Sequence, residues 1–314
     1  MMLITSESLR SLTTGYAASF KKGFDGAETH YRDVAMVVPS STSSNTYGWL
    51  GQFPKMREWI GDRVVKSLLA HGYAVENRKF ESTIEVPRTS IEDDQFGVFS
   101  PIIEEMGKAA AEFPDELSFA LLRAGFETLS YDKQYFFSPN HMVIDPLTMK
   151  TYSASNMQAG TSPPWFLLDT SRAMKPLLYQ ERIPYKFTAL NKDEDENVFW
   201  RDSYVYGTRT RSNVGFGLWQ LAFASKAELT PENYAAARAS MMNLSGDEGR
   251  VLGIKPTLLV VPPDLEEAAR MLINNDVLPS YLDSGAEGAP ITGRSGGTNP
   301  WKGSAKLIVT SWVK

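Results

Sequence analysis

Apolar residues recur at helical spacing in two stretches and at strand spacing in several others. Leu9, Leu12, Tyr16 and Phe20 follow one another at intervals of three, four and four, which makes one stripe of a short helix. Thr5 or Ser6 can cap its start, and Lys21, Lys22 and Gly23 supply a basic, glycine-terminated end. A polar stretch, FDGAETHYRD, separates this helix from the rest. Its stripe needs a cover, and the pattern leaves open whether that cover is its own domain or another subunit.

Residues 34–38, VAMVV, read as a short strand ending at Pro39. The polar run SSTSSNT cannot bury much and reads as loop or solvated surface. Trp49, Leu50, Phe53, Met56, Trp59 and Ile60 follow at once. Large apolar side chains so close to a solvated stretch either fold back on their own core or bind a neighbour. Leu68, Leu69 and His71-Gly72 close a short helix. Phe80, Ser82, Ile84 and Val86 then alternate as a half-buried strand that stops at Pro87.

The second helical stretch is the longest element. Ser90 with Asp93 or Asp94 supplies caps, and Gly125 ends it. Ile102, Met106, Ala109, Ala110, Phe113, Leu117, Leu121 and Ala124 hold one stripe over about six turns. Pro114 predicts a kink, or a restart capped near Asp115. An extended aromatic segment feeding a spine of this length suits a protein that lends part of its chain to a neighbour.

Residues 128–298 alternate strands and helices with many loops. WFLLD at 165–169, NVFWR at 197–201 and YVYG at 204–207 read as strands. GLWQLAFAS at 217–225 is buried, as strand or helix. Thr230-Pro231-Glu232 is a strong helix start. TLLVV at 257–261 reads as a central strand, followed by a helix that Asp264 caps. Residues 284–300 are glycine-rich loop. The closing run AKLIVTSWV reads as a strand inside a sheet, beside elements from early in the chain.

Composition narrows the possibilities. The 314 residues are 42% hydrophobic and 22% charged, an ordinary globular balance with room for one large domain or two. The net charge of −5 argues against a strongly basic nucleic-acid-binding domain. With no cysteine there is no disulfide, thiolate metal site or thiol nucleophile. The start carries no targeting pattern, and no run approaches the length of a membrane span. The expectation is a protein made in the cytoplasm that stays soluble or assembles there.

No catalytic constellation stands out. Gly293-Arg294-Ser295-Gly296-Gly297 has the spacing of a nucleophile elbow, but no strand precedes it and no histidine follows Ser295. His30, His71 and His141 are too far apart to share a metal-ligand spacing and read as surface or hydrogen-bonded side chains. Asp193, Asp195 and Asn197 begin like a calcium loop, yet Val198 and Tyr204 replace its glycine and glutamate. Arg209 and Arg211, one residue apart, can touch phosphate or line a polar loop at a subunit contact. The expectation is a structural protein: no enzyme, no catalytic residue, no cofactor, no metal.

The segments TYGWLGQFPKMREWIGDR, RKFESTIEVPRTSIEDDQFGVFSPIIEEMGKAA, YDKQYFF and GIKPTLLVVPPDLEEAARMLINN together resemble the major head (capsid) protein of Mu-like phages. The likeness runs in order over nearly the whole chain. It implies an α+β chain with the tailed-phage major capsid fold of the Hong Kong 97 type. Residues 1–44 would be the N-terminal arm, and 45–89 the extended loop and its return strand. Residues 90–127 would be the spine helix of the peripheral domain, 128–298 mostly the axial domain, and 299–314 a closing strand of the peripheral domain. It further implies pentamers and hexamers in an icosahedral shell around double-stranded DNA, held without sequence specificity. Scaffold, maturation protease and portal would be separate proteins, a decoration protein is an option, and the location is the virion. A non-viral nanocompartment shell of the same fold, or a soluble hydrolase using the glycine-rich loop, are the rival readings. Leu9, Leu12, Tyr16, Phe20, Trp49, Phe53 and Trp59 are the candidate interface residues. The fold type's lysine–asparagine cross-link matches no residue here, so the shell is expected to be non-covalent.

Overall fold

Thr5 starts the first helix, Ser6–Gly26, through a capping box. Its hydroxyl accepts the Ser8 backbone N–H at 3.1 Å, and the Ser8 hydroxyl accepts the Thr5 N–H at 2.9 Å. The computed structural model describes residues 5–48, 50, 72–93, 96–144, 151–245, 251–277 and 298–314. They fall into two compact units, Met1–Thr46 with Ala74–Ser118 and Leu178–Gly215, and Tyr47–Tyr73 with Phe119–Leu177 and Phe216–Lys314.

In the first unit the opening helix runs past Gly23, which is buried, so Gly23 is not its terminator. A Cβ on Gly23 would lie 1.9 Å from the Glu104 carbonyl oxygen, and one on Gly107 would lie 2.0 Å from the Phe20 carbonyl oxygen. The first helix and the long helix, Phe96–Ala124, therefore touch backbone to backbone, with one glycine contributed by each.

The long helix of 29 residues passes through Pro101 and Pro114 without a break, so the restart expected at Asp115 does not occur. Asp115 serves a different element. Its buried carboxylate accepts the backbone N–H of His30 at 2.8 Å and of Tyr31 at 2.6 Å, at the start of the short helix Tyr31–Val34. The buried side of the long helix also differs from the expected stripe. Ile103, Met106, Ala110, Ala111 and Ser118 are buried, whereas Ile102 is 50% exposed, Ala109 is exposed, and Phe113, Leu117 and Leu121 are only half-buried. Phe119 and Leu122 are buried as well, and around Gly107 the small Ala110 and Ala111 accompany the close contact with the first helix.

The sheet of this unit has the strand order Ala35–Pro39, Leu177–Leu190, Ser203–Phe216, Arg78–Pro87. The last two pair antiparallel, from Ser203 opposite Pro87 to Ser212 opposite Arg78. The inner face of the sheet brings Ile84, Val86, Tyr204, Tyr206 and Phe187 onto the two helices. Tyr16 meets Tyr206 edge-on at 5.0 Å between ring centroids. The strand read at 204–207 extends over the 14 residues Ser203–Phe216, and Leu177–Leu190, of equal length, was not read from the sequence. Between them NVFWR is not a strand but lies in the helix Glu196–Arg201. Val198 alone is buried there, and the adjacent Phe199 and Trp200 are both exposed, a pattern no strand repeat produces.

In the second unit the strand order is Lys306–Val309, Leu258–Val261, Trp165–Leu168, Ala222–Ser225, Met157–Gln158. Leu258–Val261 and Trp165–Leu168 are buried throughout, as their unbroken apolar runs require. GLWQLAFAS resolves into a tight turn, Trp219–Leu221, and a strand. Thr230 caps the helix Pro231–Met242 by accepting the Asn233 N–H at 3.2 Å. Asp264 sits in the turn Pro263–Leu265 instead of capping the helix Glu266–Asn274. The closing strand pairs in parallel with Leu258–Val261, so its partner comes from late in the chain, not early. His141 is the hydrogen-bonded kind of histidine. It is fully buried, its Nδ1 is 2.5 Å from the Asp132 carboxylate, its Nε2 is 3.2 Å from the Asn156 side-chain amide oxygen, and it stacks on Trp219 at 3.9 Å.

Candidate assembly surface

The candidate interface residues of the first helix are covered by their own chain. Leu9, Tyr16 and Phe20 are buried with Val86, Met106, Tyr204 and Tyr206, and Leu12 packs partly buried on the same cluster. Burial holds the phenols of Tyr16 and Tyr206 up at about 12, and for Tyr16 the neighbouring Tyr206 adds to the effect. Trp49, Phe53 and Trp59 lie outside the described residues, as does the Gly293–Gly297 motif. The ends of the segment carrying the three aromatics are described: Ser44–Thr46 and Ala74–Glu76 pair antiparallel.

The surface offers other groups. Phe199 and Trp200 are each 74% exposed and meet edge-on at 5.1 Å. Their short helix is braced by Asn197, whose amide donates to the Leu190 and Ser203 carbonyls at 3.0 and 2.8 Å. Asp202, at φ +50°, ends it in the left-handed region. Asp195 accepts the Lys192 backbone N–H at 2.9 Å, so these residues build a turn where the sequence resembled half a calcium loop. Asp193, Glu194 and Glu196 stay exposed beside the aromatic pair. Among the described residues no group of three or more His, Asp or Glu side chains is placed to hold a metal ion.

The face of the four-stranded sheet opposite the helices is basic. Arg209 and Arg211 lie on a strand, not a loop, opposite Glu81 and Lys79. Arg182 and Lys186 alternate with the inward-facing Tyr185 and Phe187 and so share this outer face. Sequence reasoning singled out the arginine pair but missed Arg182, Phe199 and Trp200. The signal for the aromatic pair was present, since two large aromatics in succession among charged residues cannot both be buried by a short element.

The family model described as Mu-like prophage major head subunit gpT matches residues 9–313, and the chain belongs to that family. It is 39% identical to the major capsid protein of Escherichia phage Mu, over 99% of this chain and 100% of the relative. It is 44% identical to the Mu-like prophage FluMu major head subunit of Haemophilus influenzae, over 88% of this chain and 92% of the relative. Among solved structures, a chain of the procapsid of bacteriophage JBD30 matches with a TM-score of 0.82 and 44% identity, covering 98% of this chain and 100% of that one. A chain from the JBD30 capsid decorated with minor capsid protein trimers matches with a TM-score of 0.69 and 34% identity, covering 90% of each chain. The family is one of structural head subunits, not enzymes.

Proposed function

We propose that this chain self-assembles into pentamers and hexamers that close into the icosahedral head of a Mu-like phage. The head would enclose double-stranded DNA without reading its sequence. The observation that carries this reading is the end-to-end match to head subunits, sustained in three dimensions against a procapsid chain. Repeated modest contacts suffice for such a shell, because neighbouring contacts must open together before a subunit leaves. The net charge of −5 suits a container that does not grip its cargo strongly. Scaffold, maturation protease and portal act as separate proteins assembled with it in the host cytoplasm. A decoration protein is supported by the trimers on the JBD30 capsid.

The segment of 45–89 that carries Trp49, Phe53 and Trp59 is the proposed loop over a neighbouring subunit, since aromatic anchors dominate interface energy. The boundaries 1–44, 45–89, 90–127, 128–298 and 299–314 are proposed as arm, loop, spine, mostly axial region and closing strand. Negative-stain imaging after production with the cognate head proteins tests the assembly. Closed particles are the expected result, and only dispersed subunits at high concentration would refute it.

A further inference from the structure

We infer that the hairpin tip of one copy docks on the outer sheet face of a second copy, its carboxylates meeting Arg182 and Arg211 and its Phe199–Trp200 pair covering that face. The inference rests on the shell-building reading and extends it by naming the two surfaces that meet.

The receiving face is left incomplete within one chain. Among the described residues, the Nε and one terminal nitrogen of Arg182 and the Nε of Arg211 are enclosed without a hydrogen-bond partner, which leaves only the outer ends of these guanidinium groups for a second copy. Buried donors of this kind are ordinarily satisfied, and a guanidinium is best satisfied by a carboxylate fork. The acids on the same face are already engaged by hydroxyls. Glu81 accepts from Thr83, and Glu85 from Ser203, each at 2.5 Å. Among the described residues Arg182, Arg209 and Arg211 form no ion pair, and Lys79 and Lys186 add exposed positive charge.

The docking element is on the same chain. Residues 193–196 are four acids in succession; Asp193 pairs with Arg88 at 3.6 Å and Asp195 holds the Lys192 N–H, which leaves the exposed Glu194 and Glu196, with Phe199 and Trp200 74% exposed beside them. Charge and chemistry thus match: carboxylates for guanidinium forks, and aromatic faces for arginine stacking. The two surfaces are different patches of one molecule, so the contact is heterologous and can be repeated around a closed assembly.

The test uses heads produced with the cognate head proteins. The variants are Phe199→Ala/Trp200→Ala, Glu194→Lys/Glu196→Lys, Arg209→Glu/Arg211→Glu, and the two charge reversals combined. Each alone should lower the yield of closed particles roughly tenfold or more, the effect of losing interface anchors. The combined charge reversal should recover most of that loss. Normal assembly by both charge variants overturns the inference, as does a combined variant no better than the weaker single reversal. Reduced DNA retention with unchanged assembly in Arg209→Glu/Arg211→Glu would assign the face to nucleic acid and also overturn it. Circular dichroism of the subunits identifies any variant that fails to fold. In that event carbodiimide coupling of wild-type shells built from isotopically light and heavy copies decides. Mixed peptides should join Lys79 or Lys186 to the carboxylates of 193–196, and their absence overturns the inference. A wild type that forms no particles at all would remove the assembly reading itself.

Discussion

Single residues decide how closely the first helix approaches the long one. Gly107 has no room for a methyl group, because the Phe20 carbonyl occupies the space. Gly107→Ala should therefore destabilise the subunit by about 1–3 kcal/mol, the usual cost of overpacking. Denaturant unfolding checks this, and an unchanged midpoint would mean that the helices separate freely. Asp115 gives a pH-dependent prediction. Burial raises its pKa above the ordinary carboxylate value, with the N–H groups of His30 and Tyr31 acting in the opposite direction. The folded chain therefore holds this proton more tightly than the unfolded one. Its contribution to stability is greatest below the ordinary carboxylate range and declines as pH rises through the raised native value. Asp115→Asn removes that titration. The stability of the wild type relative to the variant should fall across this window, and a difference independent of pH would contradict the assignment. Neither role was legible in the sequence. A glycine within a helix registers only as a weak helix former, and an acid after a proline reads as a local cap. The partners of both lie more than 80 residues away in the chain.

Elements were easier to read than their orientation. The spine, the capped start at Thr230 and the buried strands at 165–168 and 258–261 all follow from spacing and turn chemistry. The rotation of the spine did not follow, because apolar side chains occur on both sides of it: Ile103, Met106, Phe119 and Leu122 are buried, yet Ile102, Phe113, Leu117 and Leu121 make an equally good helical stripe in the sequence. Two neighbouring substitutions separate the alternatives. Ile103→Ala should cost about 2–5 kcal/mol, whereas Ile102→Ala should stay within about 0.5 kcal/mol, as at the surface. Equal costs in thermal or denaturant unfolding would contradict the observed rotation. The first helix was ambiguous for a different reason: its stripe requires a cover, but a sequence does not say whose. With Tyr16 and Phe20 in the core, removing residues 5–26 should leave a subunit that is insoluble or lacks a cooperative transition. A soluble, cooperatively folded truncation would instead show that the subunit's core forms without this helix. The tip helix was misread as a strand because its stabilising contacts, Asn197 to two carbonyls and the turn at Asp202, are not visible as a hydrophobic period.

For the whole molecule, the family resemblance conveyed more than any local pattern, since no catalytic motif had to be explained. The anchors proposed at Trp49, Phe53 and Trp59 depend on contacts with other copies, which a single chain does not contain. The chain has no cysteine and so forms no disulfide, and a denaturing gel of purified heads should give one band near 35.0 kDa. A ladder of multimers would show a covalent link. The most direct test of the central claim is a cryo-electron microscopy reconstruction of particles purified after production with the cognate head proteins. The account predicts a closed icosahedral shell in which this chain, with its spine helix and four-stranded sheet, occupies pentamers and hexamers. Particles built from another protein, with this chain absent from the shell lattice, would contradict it.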